Sequence, residues 1–268
     1  MEVSVIMGVY NANYQMLEQA INSILAQTYP YFELIICDDG STNETYQWLL
    51  EFRKLDGRII VVQNQQNEGL ASALNHCIEV AQGELLVRQD ADDFSAENRI
   101  EKLIQFASTH PEYGLISSNI GLFDTDGVWG RMNYPEQPQK DDFLFCVPFM
   151  HGAVAMRKSQ VLQAGGYRVA KETRRTEDID LFMRMYANGC KGYTLEELLY
   201  YFREDKQAQQ RRRYRYRIEE AKVKWKGYQM LGLMPKGVIF ALKPLIVGLI
   251  PQKLLNWLKD QYYQRKID

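Results

Sequence analysis

"QAINSILAQTYPYFELIICDDGSTNET", residues 19–45, sets the fold. Leu17, Ala20, Ile21, Ile24 and Leu25 recur at helical spacing across residues 15–26, and Pro30 follows as a break. Phe32–Cys37 is a short apolar run that reads as a strand, closed by an acidic turn signal. The pattern extends in both directions. "VSVIMGV", residues 3–9, is a β-branched run that reads as a buried strand. Downstream, Thr42 or Asn43 caps a helix over Glu44–Lys54, and Arg58–Gln63 is a third strand. A helix over Leu70–Ala81 and a fourth strand over Glu84–Arg88 complete the series. Strands alternating with helices predict right-handed crossovers: a Rossmann-like, mostly parallel central sheet of the α/β class with helices on both faces.

Past that series a helix is expected over 96–110, ended by Pro111, and a strand in "GLISSNIGLF". "DTDG" is a turn, and Val128–Pro138 an irregular or hairpin segment. Phe149–Arg157 and Gly192–Phe202 read as later strands. Between them lies a helix that Thr176 caps and Gly189 stops, with Ile179, Phe182, Met183 and Tyr186 on its apolar face. The scattered Cys37, Cys77, Cys146 and Cys190 have no metal or redox spacing and read as reduced thiols. The start of the chain lacks a basic n-region and a cleavage site, so a cytoplasmic protein is expected.

Such a sheet binds its ligands at the carboxyl ends of its strands. A dinucleotide enzyme would need a glycine-rich turn after the first strand, where this chain has "GVYNAN" with one glycine. The alternative is to hold phosphates through a hard divalent cation, Mg²⁺ or Mn²⁺, on a few carboxylates. "DADD", residues 90–93, offers them. In an extended segment Asp90 and Asp92 share a face, and Asp93 turns toward a backbone amide or a ribose hydroxyl. An Asp-rich turn capping the next helix is the structural alternative.

The motifs resemble those of the inverting glycosyltransferases of family 2, which have the GT-A fold. "VSVIMGVYN" looks like that family's opening strand, and residues 19–45 like its helix–strand–turn signature. "NEGLASALNHCIEVAQGELLVRQDADD", residues 67–93, resembles the run into its metal motif, and "GGY" with "TEDIDLFMRM" its acceptor-side motif. The likeness covers roughly residues 2–203. It implies a domain over 1–205, with a nucleotide-sugar half, 1–95, and an acceptor half, 96–205. It implies a UDP-sugar donor whose base lies near Val9, Tyr10 and Asp39, with Asn67 and Asn75 close to the nucleotide. Asp38 or Asp39 equally suits an Asx turn. Asp90, Ala91 and Asp92 would meet the diphosphate, with Asp92 and Asp90 as metal ligands. Asp178 would be the general base, with Glu177 orienting it or the acceptor, although acids also suit any helix's first turn. His151, in "PFMHGAVAMRK", would touch diphosphate or sugar. Many relatives carry Ala-Arg where this chain has Ala73-Leu74, so Arg88 or Arg99 is expected to compensate. Arg174 or Arg175, in the loop "KETRRTE", would approach phosphate. The implied product is a β-glycoside on a glycan or lipid-linked glycan of a bacterial surface polysaccharide. A sugar nucleotidyltransferase and an inactive binding protein are the alternatives.

Charge divides the chain. Residues 1–205 hold 17 Lys and Arg against 30 Asp and Glu, and residues 206–268 hold 15 against 4. The second segment reads as a basic, amphipathic helical extension. Its apolar runs are broken by Lys243, Pro244, Pro251 and Lys253, too short to span a bilayer. Leu254, Leu255, Trp257 and Leu258 resemble an interfacial helix. Peripheral contact with the anionic cytoplasmic face of the membrane is expected, with a homodimer-forming tail as the alternative and no nucleic-acid partner. Deleting 232–268 is expected to release the protein from membranes.

Overall fold

The computed structural model describes residues 2–204 and 214–249. The first half alternates as the sequence predicts: β1 (Val3–Val9), α1 (Tyr14–Leu25), β2 (Phe32–Asp38), α2 (Thr45–Leu55), β3 (Ile59–Gln63), α3 (Leu70–Val80) and β4 (Leu85–Arg88). The second half runs β5 (Phe94–Ser95), α4 (Arg99–Thr109), β6 (Tyr113–Asp124), β7 (Gly127–Met132), β8 (Ala155–Arg157), α5 (Lys158–Gln163), α6 (Glu177–Ala187) and β9 (Lys191–Arg203). Helices α7 (Tyr214–Met230) and α8 (Gly237–Leu249) follow.

One sheet has the order β3-β2-β1-β4-β8-β6-β9-β5, with β7 paired to β6. It is parallel across β3-β2-β1-β4 and at β6-β9, with β8 antiparallel between these blocks. Strand β1 shows why helices cover both faces. Val5 and Met7 pack with Leu17 and Ile21 of α1, while Ile6 packs with Leu74 and Cys77 of α3. Gly8 lies where α3 crosses close: a Cβ there would stand 2.8 Å from Leu70 Cδ1.

The fold corrects some expectations. Phe149–Arg157 is not one strand. A 3₁₀ turn, His151–Ala153, precedes the three-residue β8, because Gly152 must lie against Tyr200. The two-residue β5, too short to show a period, pairs with Tyr200 and Tyr201 of β9. Thr176 occupies the capping position of α6 but does not cap it, since its hydroxyl donates to Glu172 O at 3.2 Å. "DTDG" closes the β6–β7 hairpin, with Asp124 Oδ1 accepting from Asp126 N–H.

The basic segment is helical where it is described, but α7 and α8 are built into the main core. Val223, Tyr228, Leu231, Leu233 and Ala241 are buried in the same cluster as Ile6 and Leu74. The Tyr228 hydroxyl donates to Phe143 O at 2.9 Å. Deleting 232–268 therefore removes core residues and tests folding rather than anchoring. Leu254, Leu255, Trp257 and Leu258 lie outside the described residues. Among the described residues no helix is long and apolar enough to cross a membrane.

Candidate active site

The parallel strands β1, β2 and β4 bring Val9, Asp38 and Arg88 to one edge of the sheet. The loops there are tied together. Asn11, held at φ 48°, accepts from Thr42 N–H at 2.8 Å, and its own N–H donates to Ser41 Oγ at 2.9 Å. Asp38 ties down the turn that follows it, accepting from Ser41 N–H, three residues on, at 3.3 Å and from Gln63 Nε2 at 3.0 Å. Its other oxygen, Oδ1, is buried without a partner. Asp39 is also buried and accepts from Asn64 Nδ2 (2.8 Å), Glu68 N–H (3.0 Å) and Gly69 N–H (2.8 Å). It thereby fixes the loop that begins α3. Tyr10 is exposed at this edge, while the Val9 side chain lies in the core. Asn67 is exposed in the loop before α3. Asn75 clamps Tyr167, donating to its carbonyl at 2.7 Å and accepting from its N–H at 2.9 Å.

The acidic tip is a turn, not a strand extension. Ala91 and Asp92 form it, so the alternation expected to align Asp90 with Asp92 does not apply. The carboxylates still meet: the protein packed about the tip, and then the Asp90 charge, raise the Asp92 carboxyl. Asp92 is exposed. Asp90 forms an ion pair with the fully buried Arg88. Asp93 points away, as expected, to a backbone amide: it accepts from Arg203 N–H at 2.7 Å and from the Tyr200 hydroxyl at 2.6 Å. That hydroxyl also accepts from Asp90 N–H at 3.2 Å, so β9 holds the tip in place. Gly152 closes the site from the other side, where a Cβ would stand 2.5 Å from Tyr200 Cζ and 2.8 Å from Asp90 Oδ2. Arg99 does not reach the surface. It is fully buried and donates to Gln89 Oε1, Ser95 Oγ, Arg88 O and Gly152 O.

The first turn of α6 divides its three acids. Asp180 faces inward and pairs with Arg168 and Arg184, both at 2.8 Å. Asp178 lies near enough to the tip to feel the Asp90 charge, and Glu177 lines the cleft described below. Burial raises the Asp178 carboxyl against the pull of helix N–H groups, and the Asp90 charge adds to the rise. His151 bonds Tyr167 Oη through Nε2 at 2.8 Å. Burial, then the Arg88 charge, lowers it to about 3, so the ring is neutral. Arg88 is thus a cation facing Asp90, Asp92 and Glu177 together.

Burial, then the Asp178 charge, raises Glu177 from 4.5 to about 7. An acid that binds its proton more tightly when folded destabilises the fold as pH climbs above 4.5, with the cost complete above about 7. The wild type should therefore lose stability between about pH 5 and about pH 8, and Glu177→Gln should lose less. Thermal unfolding of both proteins across that range checks it; identical pH dependence would refute the assignment.

Beside Glu177 opens a cleft of about 780 Å³. The start of α3 (Asn67, Gly69) forms one wall, and the loop before α6 with the first turn of α7 forms the other. Arg175 in that loop sits at φ 67°, a conformation a non-glycine residue adopts at a cost. Among the described residues no group of three or more His, Cys, Asp or Glu converges on one point. The Asp90–Asp92 tip offers only hard oxygen donors, which suit Mg²⁺ or Mn²⁺ when a phosphate supplies further oxygens. Sequence reasoning missed Tyr200, which sits in an apolar run with no spacing signal, and gave no role to Tyr167 or Gly152 although both lie in stretches that resemble the family.

Residues 4–166 match the family model "Glycosyl transferase family 2". EpsE of Bacillus subtilis (strain 168), named as a glycosyltransferase, is 38% identical over 99% of this chain and 94% of its own length. The Escherichia coli UDP-Gal:alpha-D-GlcNAc-diphosphoundecaprenol beta-1,3-galactosyltransferase is 26% identical over 98% of this chain and 96% of its own. The crystal structure of S. aureus TarS 1-349 in complex with UDP-GlcNAc superposes with a TM-score of 0.69 at 18% identity, over 93% of this chain and 82% of that one. At that identity it attests to the shared fold alone.

Proposed function

The chain belongs to glycosyltransferase family 2, and on that footing we propose that it moves a hexosyl or N-acetylhexosaminyl group from a UDP-sugar to a lipid-linked glycan, inverting the anomeric centre. It is a glycosyltransferase of polysaccharide biosynthesis. The finer reading is supported by the acids at the end of β4 and at the start of α6, where the Asp90 charge reaches Asp178.

Each group has a task. The acceptor hydroxyl oxygen forms a bond to the anomeric carbon as the bond from that carbon to the diphosphate oxygen breaks. Asp178 takes the hydroxyl proton, and its raised affinity for that proton suits the role. Glu177 orients the acceptor. Asp92, with Asp90 beside it, would hold a divalent cation, and such a cation would supply positive charge to offset that of the departing diphosphate. Arg88 keeps Asp90 in place and offsets repulsion among the carboxylates. Attack opposite the leaving group gives a β-glycoside from an α-linked donor. The uracil is placed at the strand-end loops around Asp39 and Tyr10. The reaction is placed at the cytoplasmic face of the membrane.

The test is UDP release from a panel of UDP-sugars with Mn²⁺ or Mg²⁺. One UDP-hexose or UDP-N-acetylhexosamine should be turned over, and EDTA or Asp92→Asn should stop it. Release of UMP in place of UDP, or full activity in EDTA, would overturn the reading.

A further inference from the structure

The first turn of α7 joins a cationic cleft to an apolar surface. On the cleft side, two guanidiniums approach the Tyr216 ring, Arg175 at 5.0 Å and Arg215 at 4.8 Å from its centroid. Lys171 and Arg174 line the same cleft, and among the described residues no carboxylate pairs with Lys171, Arg174 or Arg175. Four cations therefore outnumber the cleft's carboxylates, Glu68, Glu177 and Glu219. Cations without carboxylate partners, gathered along one cleft, favour an anion bound there.

On the other side, Ile239, Leu242, Ile246 and Leu249 recur along one exposed face of α8, while Ala241 and Pro244 point into the core. Ile246 is 62% exposed and Leu249 is 74% exposed, too open for core residues. The two helices meet where Gly248 packs on Tyr214: a Cβ there would stand 2.9 Å from the ring. Tyr214 and Ile218 of α7 are exposed beside that contact and extend the apolar face toward Arg215.

From this junction we infer a binding surface for an amphiphile with a diphosphate headgroup. The diphosphate lies against Arg174, Arg175 and Arg215, and the hydrocarbon chain runs over Tyr214, Ile246 and Leu249. The inference deepens the lipid-linked acceptor proposed above and rests on that reading. It places the acceptor's anionic end next to Glu177, at the mouth of the site. A second copy of the chain fits this surface less well. Self-association about a two-fold axis would set the basic residues Arg215 and Lys243 against their own images.

Diphosphate can also come from the donor, so the test separates the sources. Full-length protein is sedimented with phosphatidylcholine vesicles, plain or doped with a polyprenyl diphosphate, and UDP affinity is measured on the same samples. Doping should raise vesicle binding about tenfold, and inorganic pyrophosphate should compete it away. Arg174→Ala combined with Arg215→Ala should lose the gain from doping and keep UDP affinity. Ile246→Glu combined with Leu249→Glu should lose binding to both vesicle types and keep UDP affinity. Doping without effect would overturn the inference. So would lost UDP affinity in the arginine variant with vesicle binding intact, which would assign the cations to the donor. A dimer that the glutamate variant splits, with vesicle binding unchanged, would assign the apolar face to a second copy. Failure of the wild type itself to bind UDP would instead strike the glycosyltransferase reading, whatever the vesicles show.

Discussion

Replacing Asp178 by asparagine should lower turnover about 10²- to 10⁴-fold and leave UDP binding intact. The asparagine side chain has nearly the same shape but takes no proton at neutral pH. The position favours proton uptake in the wild type, since burial and the nearby Asp90 charge raise the carboxyl. The side chain also stands apart from the structural role of its neighbour: Asp180 carries the ion pairs to Arg168 and Arg184 that fix the first turn of α6. The loss should therefore fall on the turnover number, with the donor KM little changed. Steady-state kinetics and UDP titration measure the two separately. Unimpaired turnover would remove Asp178 from the base role. Weakened UDP binding would show that it holds the donor instead.

Ending the chain after Met230 should abolish cooperative folding, whereas ending it after Leu249 should not. The shorter form loses Leu231 and Leu233, both buried, and uncovers Tyr228, against which Gly237 packs. It also loses Ala241 and the contact of Phe240 with Phe145. Removing one buried leucine costs about 2–5 kcal/mol, and a domain's whole stability is about 5–15 kcal/mol. Two leucines and the uncovered tyrosine thus approach the total. Solubility and thermal unfolding of both truncations decide it. A form ending at Met230 that melts like the full chain would show that α8 is dispensable.

Much of this architecture is legible in local sequence, and the illegible part has a common cause. The apolar run of Val3–Val9 and the helical spacing in 15–26 depend on neighbours a few residues apart, and both elements form as read. The short β5 and β8 were hidden because two or three residues cannot display a period. The acids show the same divide. Their clustering at 38–39, 90–93 and 177–180 marks the edge of the sheet, but equal residues in one cluster have unlike roles. Asp93 is bound by Tyr200 and Arg203, more than 100 residues away along the chain. Arg99 is enclosed by groups from β4 and the His151–Ala153 turn.

Local pattern was enough to establish the strand–helix order of the first half, its parallel sheet and the edge where the acids gather. Those features follow from side-chain period and chain direction, which are local. Three-dimensional packing settled that Asp93, Asp180 and Asn75 hold the framework, that Asp90 is tied to Arg88, and that α7 and α8 complete the core. Those outcomes depend on which distant groups meet in space, and a buried polar or apolar group takes whichever partner the packing brings to it.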